Sequence, residues 1–197
     1  MAGTSIPERF TWLVDTLDLA PSDRVLEIGC GRGVAAAVVL SRLTDGSFTA
    51  VDRSRTAVEA ARRRNGEHVA AGRADFLVAA LEEAAFADAS FDRIFSVNVN
   101  LFWTRSPARE LDALRRWLAR GGSLHLCWEP PEAGRVREIA DRVAPVLAEH
   151  GFEVTTLTGR TSASTGLVCV VGRPRRETGD PTETTLRTGE RSPGSSI

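Results

Sequence analysis

The chain has 197 residues, 42% of them hydrophobic and 26% charged, with a net charge of −1. That size suits one domain with one substantial core, and the balanced charge excludes a global field drawing the chain to nucleic acid or an anionic membrane. All 25 basic residues are arginine and tyrosine is absent, which excludes lysine Schiff-base chemistry, a Walker A phosphate loop and a Tyr/Lys dehydrogenase pair.

Residues 1–22 are expected to hold an amphipathic helix. Ser5 and Glu8 have capping-box spacing, Ile6, Phe10, Leu13, Val14 and Leu17 recur on one face, and Ala20-Pro21-Ser22-Asp23 breaks the pattern. Strand and helix then alternate. Arg24 to Ile28 reads as a strand and Val34 to Leu43 as an alanine-rich helix. Phe48 to Val51 is a second strand, and Arg55 to Arg64 a helix stopped near Gly66. A third strand falls within His68 to Phe76, and Leu81 to Ala89 holds a short helix. Phe91 to Val97 is the fourth strand, and Pro107 to Ala119 a helix ended by Gly121-Gly122. Ser123 to Trp128 follows as a strand, Glu132 to His150 as a helix capped by Gly151, then Phe152 to Leu157 and Leu167 to Val171 as strands.

This alternation predicts an α/β fold: a doubly wound, mostly parallel, seven-stranded sheet with helices on both faces. The link Thr158 to Thr165 is too short for a helical crossover, so one antiparallel strand is expected near an edge. From Pro174 the composition turns to Gly, Pro, Ser, Thr, Glu and Arg, which reads as a disordered tail over 174–197.

Cys30, Cys127 and Cys169 are far apart and form no CxxC pair, so they read as reduced thiols, not as a disulfide framework or a zinc site. Met1 to Ser5 lacks the basic-then-apolar pattern of a signal peptide, and no apolar run reaches the ~18 residues of a membrane span. A cytoplasmic protein with no membrane partner is expected.

The most informative stretch is Glu27-Ile28-Gly29-Cys30-Gly31-Arg32-Gly33, at the carboxyl end of the first strand, where open parallel sheets bind ligands. Glycines there let a ligand approach the main chain, and the next helix aims free N–H groups at it. The third glycine of a dinucleotide G-x-G-x-x-G loop falls on Val34, which favours a nucleoside ligand without pyrophosphate over NAD. Asp52, at the tip of the second strand, is placed to accept hydrogen bonds from ribose hydroxyls, or to cap the helix beginning near Ser54.

These features together resemble the class I, Rossmann-like S-adenosylmethionine-dependent methyltransferases. The E-x-G-C-G-x-G loop, Asp52, Ala74-Asp75-Phe76, Ser90-Phe91-Asp92 and Leu118-Ala119-Arg120-Gly121-Gly122 stand in family order across roughly residues 23–173. The resemblance implies S-adenosylmethionine as cofactor. It places Gly29, Cys30, Gly31 and Gly33 along its methionine and sugar side, with Glu27 behind the loop. It further implies Asp52 at the ribose with Arg53 beside the adenine, Asp75 and Phe76 at the adenine, and Asn98 at the methionine end. The stretch between Asp75 and Phe91 is longer than the common pattern.

A sulfonium methyl group needs chiefly an aligned nucleophile, and no residue stands out as a base. Asn98 to Trp103 and Trp128 to Pro131 could floor an acceptor pocket, with Glu129 a candidate base, or Phe102 and Trp103 could simply pack the next helix. His125 reads as a core residue, His150 as a helix-end residue and His68 as a loop residue. The N/D-P-P-Y/F signature of amino-nitrogen methylation and any basic stripe are both missing, so a small-molecule acceptor is expected rather than nucleic acid. The first helix is a possible lid over the cofactor, and the chain is expected to act as a monomer or homodimer. The alternative is a SAM-binding sensor or partner protein without transferase activity.

Overall fold

The computed structural model describes residues 6–104, 107–132, 134–163 and 165–175. Seven strands, β1 (Arg24–Ile28), β2 (Ser47–Asp52), β3 (Ala74–Val78), β4 (Phe91–Val97), β5 (Leu118–Trp128), β6 (Phe152–Arg160) and β7 (Gly166–Pro174), form one sheet in the order β3-β2-β1-β4-β5-β7-β6. The first five run parallel, and β7 is antiparallel to both β5 and β6. As expected from its short link, β6 turns directly into β7, and Thr161 N–H closes the turn on Thr165 O at 2.9 Å.

Both faces of the sheet are covered, so successive strand residues enter two separate cores. Helices α1 (Glu8–Leu17), α2 (Val34–Leu40) and α3 (Arg55–Arg64) pack Leu13, Leu17, Val39 and Val58 against Val25, Phe48, Phe76 and Phe95. On the opposite face α6 (Ala108–Trp117) and α7 (Arg135–Glu149) pack Leu111, Leu114, Ile139, Val143 and Leu147 against Leu26, Ile94, Leu124 and Leu126. Phe48 sits at the centre of the first core, its ring centroid 5.9 Å from Phe76 and 6.4 Å from Phe95. Burying each such ring contributes about 1.5–3 kcal/mol.

Several boundaries differ from the sequence reading. Glu8 is the first residue of α1 and Pro7 precedes it without a side-chain cap; Glu8 instead accepts hydrogen bonds from the N–H of Ser162, at 2.6 Å, and from its hydroxyl. Ser5, the other half of the expected capping box, lies outside the described residues. α3 ends at Arg64 as expected, but a separate helix, α4 (Gly66–Ala70), follows at once and takes in His68, so β3 begins only at Ala74 and runs on to Val78. Only a 3-10 turn, Leu81–Glu83, occupies the expected helix after β3, and a four-residue α5 (Leu101–Thr104) follows β4. Gly121 and Gly122 lie within β5: Phe91 pairs with Leu118 but Arg93 with Ser123, so the extra β5 residues bulge out, with Gly121 at φ 81°.

Pro174, expected to begin the tail, closes β7, and Arg175 N–H donates to Gly151 O at 2.8 Å. The rest of that expectation, residues 176–197, lies outside the described residues.

Candidate cofactor site

The connection order reverses beside β1, with β2 on one side and β4 on the other, so their carboxyl ends frame a crevice. The loop after β1 turns there because Gly29 N–H and Cys30 N–H both reach Val51 O, at 2.8 and 3.3 Å, and Gly33 N–H returns to Cys30 O at 2.9 Å. Gly29, Gly31 and Gly33 have φ of 73°, 50° and 73°. Two of these glycines meet opposite surroundings. A Cβ on Gly33 would stand 2.7 Å from Asn65 Nδ2 and 2.8 Å from Ala61 Cα, so its bare backbone lets α2 and α3 pack. A Cβ on Gly31 would meet nothing within 4 Å, because Gly31 faces the open cleft.

Asp52 connects this loop to β2. Its Oδ2 accepts from Gly31 N–H and its Oδ1 from Ser54 N–H, both at 2.9 Å. It thus helps start α3, whose N-cap is Ser54, while each oxygen keeps a lone pair for a further donor. Arg53 is exposed beside it. Asn65, 3% exposed, donates its amide to Gly33 O at 3.1 Å and Ala61 O at 2.9 Å. No local pattern in the sequence announces Asn65; only the folded loop reveals its clamp.

Glu27, the fourth residue of β1, is 2% exposed and its Oε2 has no hydrogen-bond partner. Burial, with the negative charge of Asp52 adding to it, pushes its carboxyl up to about 8. Burial likewise pushes the Cys30 thiol up to about 12, helped by Glu27 and Asp52, so Cys30 is an inert packing residue. The cleft, enclosing about 460 Å³ of space continuous with solvent, is lined by these loop residues with Val97 and Asn98 of the β4 end and Arg9 and Phe10 of α1. Phe10 was expected there as part of a possible lid, whereas Arg9 is an addition that the sequence reading of the site lacked.

Asn98 joins two loops. It is held at φ 56°, its N–H donates to Cys127 O at 2.9 Å, and its Oδ1 accepts from Glu129 N–H at 2.9 Å. Glu129 in turn takes Arg9 Nη1 at 2.7 Å. Phe102 and Trp128 are core residues, 1% and 4% exposed, whereas Trp103 stays half-buried beneath the Arg135 guanidinium at 4.9 Å.

Asp75 and Phe76 stand elsewhere. Asp75 pairs with Thr49 and Phe76 with Ala50, whereas Asp52 pairs with Val78; three strand residues put Asp75 ~10 Å below the cleft end of the sheet. Asp75 is exposed there and Phe76 is wholly buried against Phe48. Val78, 41% exposed, and Ala79, whose N–H donates to Asp52 O at 3.1 Å, occupy the level of the cleft instead. The misplacement follows from the late start of β3, because α4 consumes the residues before it.

His125 is buried in β5 with Nε2 2.8 Å from Ser123 Oγ and Nδ1 unpartnered. Burial and the charges of Arg93 and Arg173 push it down to about 3, so it is a neutral core residue. His68 Nδ1 lies 2.8 Å from Arg73 Nη2, and His150 Nδ1 3.3 Å from Asp112 Oδ1. Cys127 and Cys169 face each other on β5 and β7 with sulfurs 2.6 Å apart as free thiols. Among the described residues no three His, Cys, Asp or Glu side chains gather to hold a metal ion, and no helix is long and apolar enough to cross a membrane.

A reversed-order parallel sheet with a glycine loop at its switch point and an acidic residue on the adjacent strand defines a nucleoside-binding Rossmann-like protein. Residues 25–122 match the family of methyltransferase domains, and the chain resembles several methyltransferases. Over 156 residues it is 29% identical to the O-methyltransferase cnsE of Penicillium expansum, covering 72% of this chain and 56% of that one. Over 86 residues it is 29% identical to the putative methyltransferase YrhH of Bacillus subtilis, covering 44% and 47%. The chain thus spans about half the length of these curated relatives. The fold is similar to that of the N-methyltransferase NodS from Bradyrhizobium japonicum, with a TM-score of 0.68 at 19% identity, over 86% of this chain and 96% of that one.

Proposed function

We propose that this chain binds S-adenosylmethionine in the Glu27–Gly33 cleft and transfers its methyl group to a small-molecule acceptor. The observation that carries this reading is the pairing of the open Gly31 backbone with the unpartnered, buried Glu27 carboxyl, flanked by Asp52. A glycine cradle admits the sugar and methionine portion, Asp52 offers its remaining lone pairs to the ribose hydroxyls, and Glu27 and Asn98 border the methionine end. Arg53 and the Val78–Ala80 stretch flank the adenine in this reading, replacing Asp75 and Phe76.

Bound S-adenosylmethionine supplies a sulfonium methyl that is already electrophilic. The protein's part is to hold an acceptor in line behind it and to exclude water. Arg9 and Phe10 bring α1 over the cleft, which supports its role as a lid, and Asn98 fixes the loop carrying Glu129 beside the same opening. Glu129 is engaged by Arg9, so a proton from the acceptor passes to Glu129 only if that pair loosens. The O-methyltransferase identity of cnsE favours an oxygen acceptor, and the reduced cysteines favour the cytoplasm. Incubation with radiolabelled S-adenosylmethionine and fractions of small hydroxylated metabolites, protein and RNA tests this. Label is expected in the metabolite fraction; label confined to protein or RNA, or none anywhere, contradicts it.

A further inference from the structure

Glu27 is an unusual group to leave without a partner. It is 2% exposed, its Oε2 makes no hydrogen bond, and it forms part of the cleft wall. An ionised carboxylate in that position costs several kcal/mol unless a positive charge meets it. The charged and titratable groups around it do not meet it. Asp52, from β2, adds a second negative charge. Cys30, on the loop, is held neutral. Arg9, from α1, is committed to Glu129 at 2.7 Å, and Arg32 is exposed. The remaining cleft residues of β4 and α2, namely Val97, Asn98, Val34 and Ala35, carry no charge.

We propose that Glu27 is a proton-linked anchor: without ligand it is the neutral acid, and the positive charge of the cofactor ionises it, so that binding expels one proton. The balance is simple. The Glu27 carboxyl loses H⁺ to the buffer, and the resulting carboxylate pairs with a cation of the ligand, either the sulfonium or the amino-acid ammonium. Affinity for a cationic ligand then rises with pH up to the point where Glu27 ionises unaided, and the raised value of about 8 puts that point above neutrality. This rests on the cofactor reading above and adds to it which residue senses the ligand's charge.

Calorimetric titration with S-adenosylmethionine in phosphate and in Tris, whose ionisation heats differ, counts the protons released. Wild type is expected to release about one proton and to bind roughly tenfold tighter per pH unit between pH 6 and pH 7. Glu27→Gln is expected to bind without proton release and without that pH dependence. 5′-Methylthioadenosine, which has neither cation, is expected to release none. S-adenosylhomocysteine, which keeps only the ammonium, distinguishes the two cations: release assigns the ammonium and no release the sulfonium, and either supports the anchor. Equal wild-type heats for S-adenosylmethionine in both buffers, or an unchanged proton count in Glu27→Gln, overturn it while leaving the cofactor reading intact. No binding of S-adenosylmethionine overturns both.

Discussion

Arg9 Nη1 lies 2.7 Å from Glu129 Oε2, a bond that joins the first helix to the loop after β5 at the cofactor cleft. The two side chains are 32% and 19% exposed, so solvent screens the pair and its removal should cost about 1 kcal/mol or less. Its consequence is kinetic. Glu8 anchors the same helix to Ser162, so cutting the Arg9 bond leaves α1 attached but free to lift. In Arg9→Ala the melting temperature should change little, while stopped-flow release of S-adenosylmethionine quickens several-fold. An unchanged release rate contradicts the lid.

Gly31 and Gly33 should part company on substitution. In Gly33→Ala the new methyl group meets the Ala61 backbone at 2.8 Å and the Asn65 amide at 2.7 Å, so overpacking and a positive φ together should destabilise the fold by about 2–4 kcal/mol. Gly31→Ala meets no atom and pays only the backbone term, about 1–2 kcal/mol, yet its methyl projects into the cleft. Thermal melts should rank Gly33→Ala well below Gly31→Ala, and ligand titration should show Gly31→Ala folded but weakened in binding.

Two buried groups give stability opposite slopes with pH. His125 has a folded value of about 3 against an ordinary 6.5, so the unfolded chain binds the extra proton; this stability is present above pH 6.5 and is lost as pH falls toward 3. Glu27 is raised from 4.5 to about 8, so the folded chain binds the extra proton and stability falls as pH rises from 4.5 to 8. Denaturant titrations of the ligand-free protein should show His125→Asn with a shallower acid loss and Glu27→Gln with a shallower loss between pH 6.5 and 8. Unchanged slopes contradict these assignments.

The parallel core was legible because β1 and β2 are short, largely apolar runs set off by Asp23, Gly29 and Gly46. The reversed β7 was legible because its link to β6 cannot hold a crossover helix. The turn after β1 was legible because its positive-φ positions demand glycine at set spacings. Asp75 misled because motif order says nothing of where a strand starts: α4, short and without a side-chain cap, delays β3 and leaves Asp75 at the far end of the sheet from Asp52. The Cys127–Cys169 contact and the Asn65 clamp were hidden because each joins residues brought together only by strand order or helix packing. Gly121-Gly122 read as a helix stop because the same residue type serves a bulge.

Asp52 carries the central claim, since it links the glycine loop to the start of α3 and is the residue proposed to hold the ribose. Losing charge-assisted hydrogen bonds worth roughly 1.5–3 kcal/mol should weaken binding about ten- to a hundredfold. The decisive measurement is therefore titration calorimetry of S-adenosylmethionine against wild type and Asp52→Ala at equal, verified folding. Saturable one-to-one binding by wild type, weakened by that factor in the variant, is the predicted result. No binding by wild type, or equal affinity in both proteins, contradicts the account.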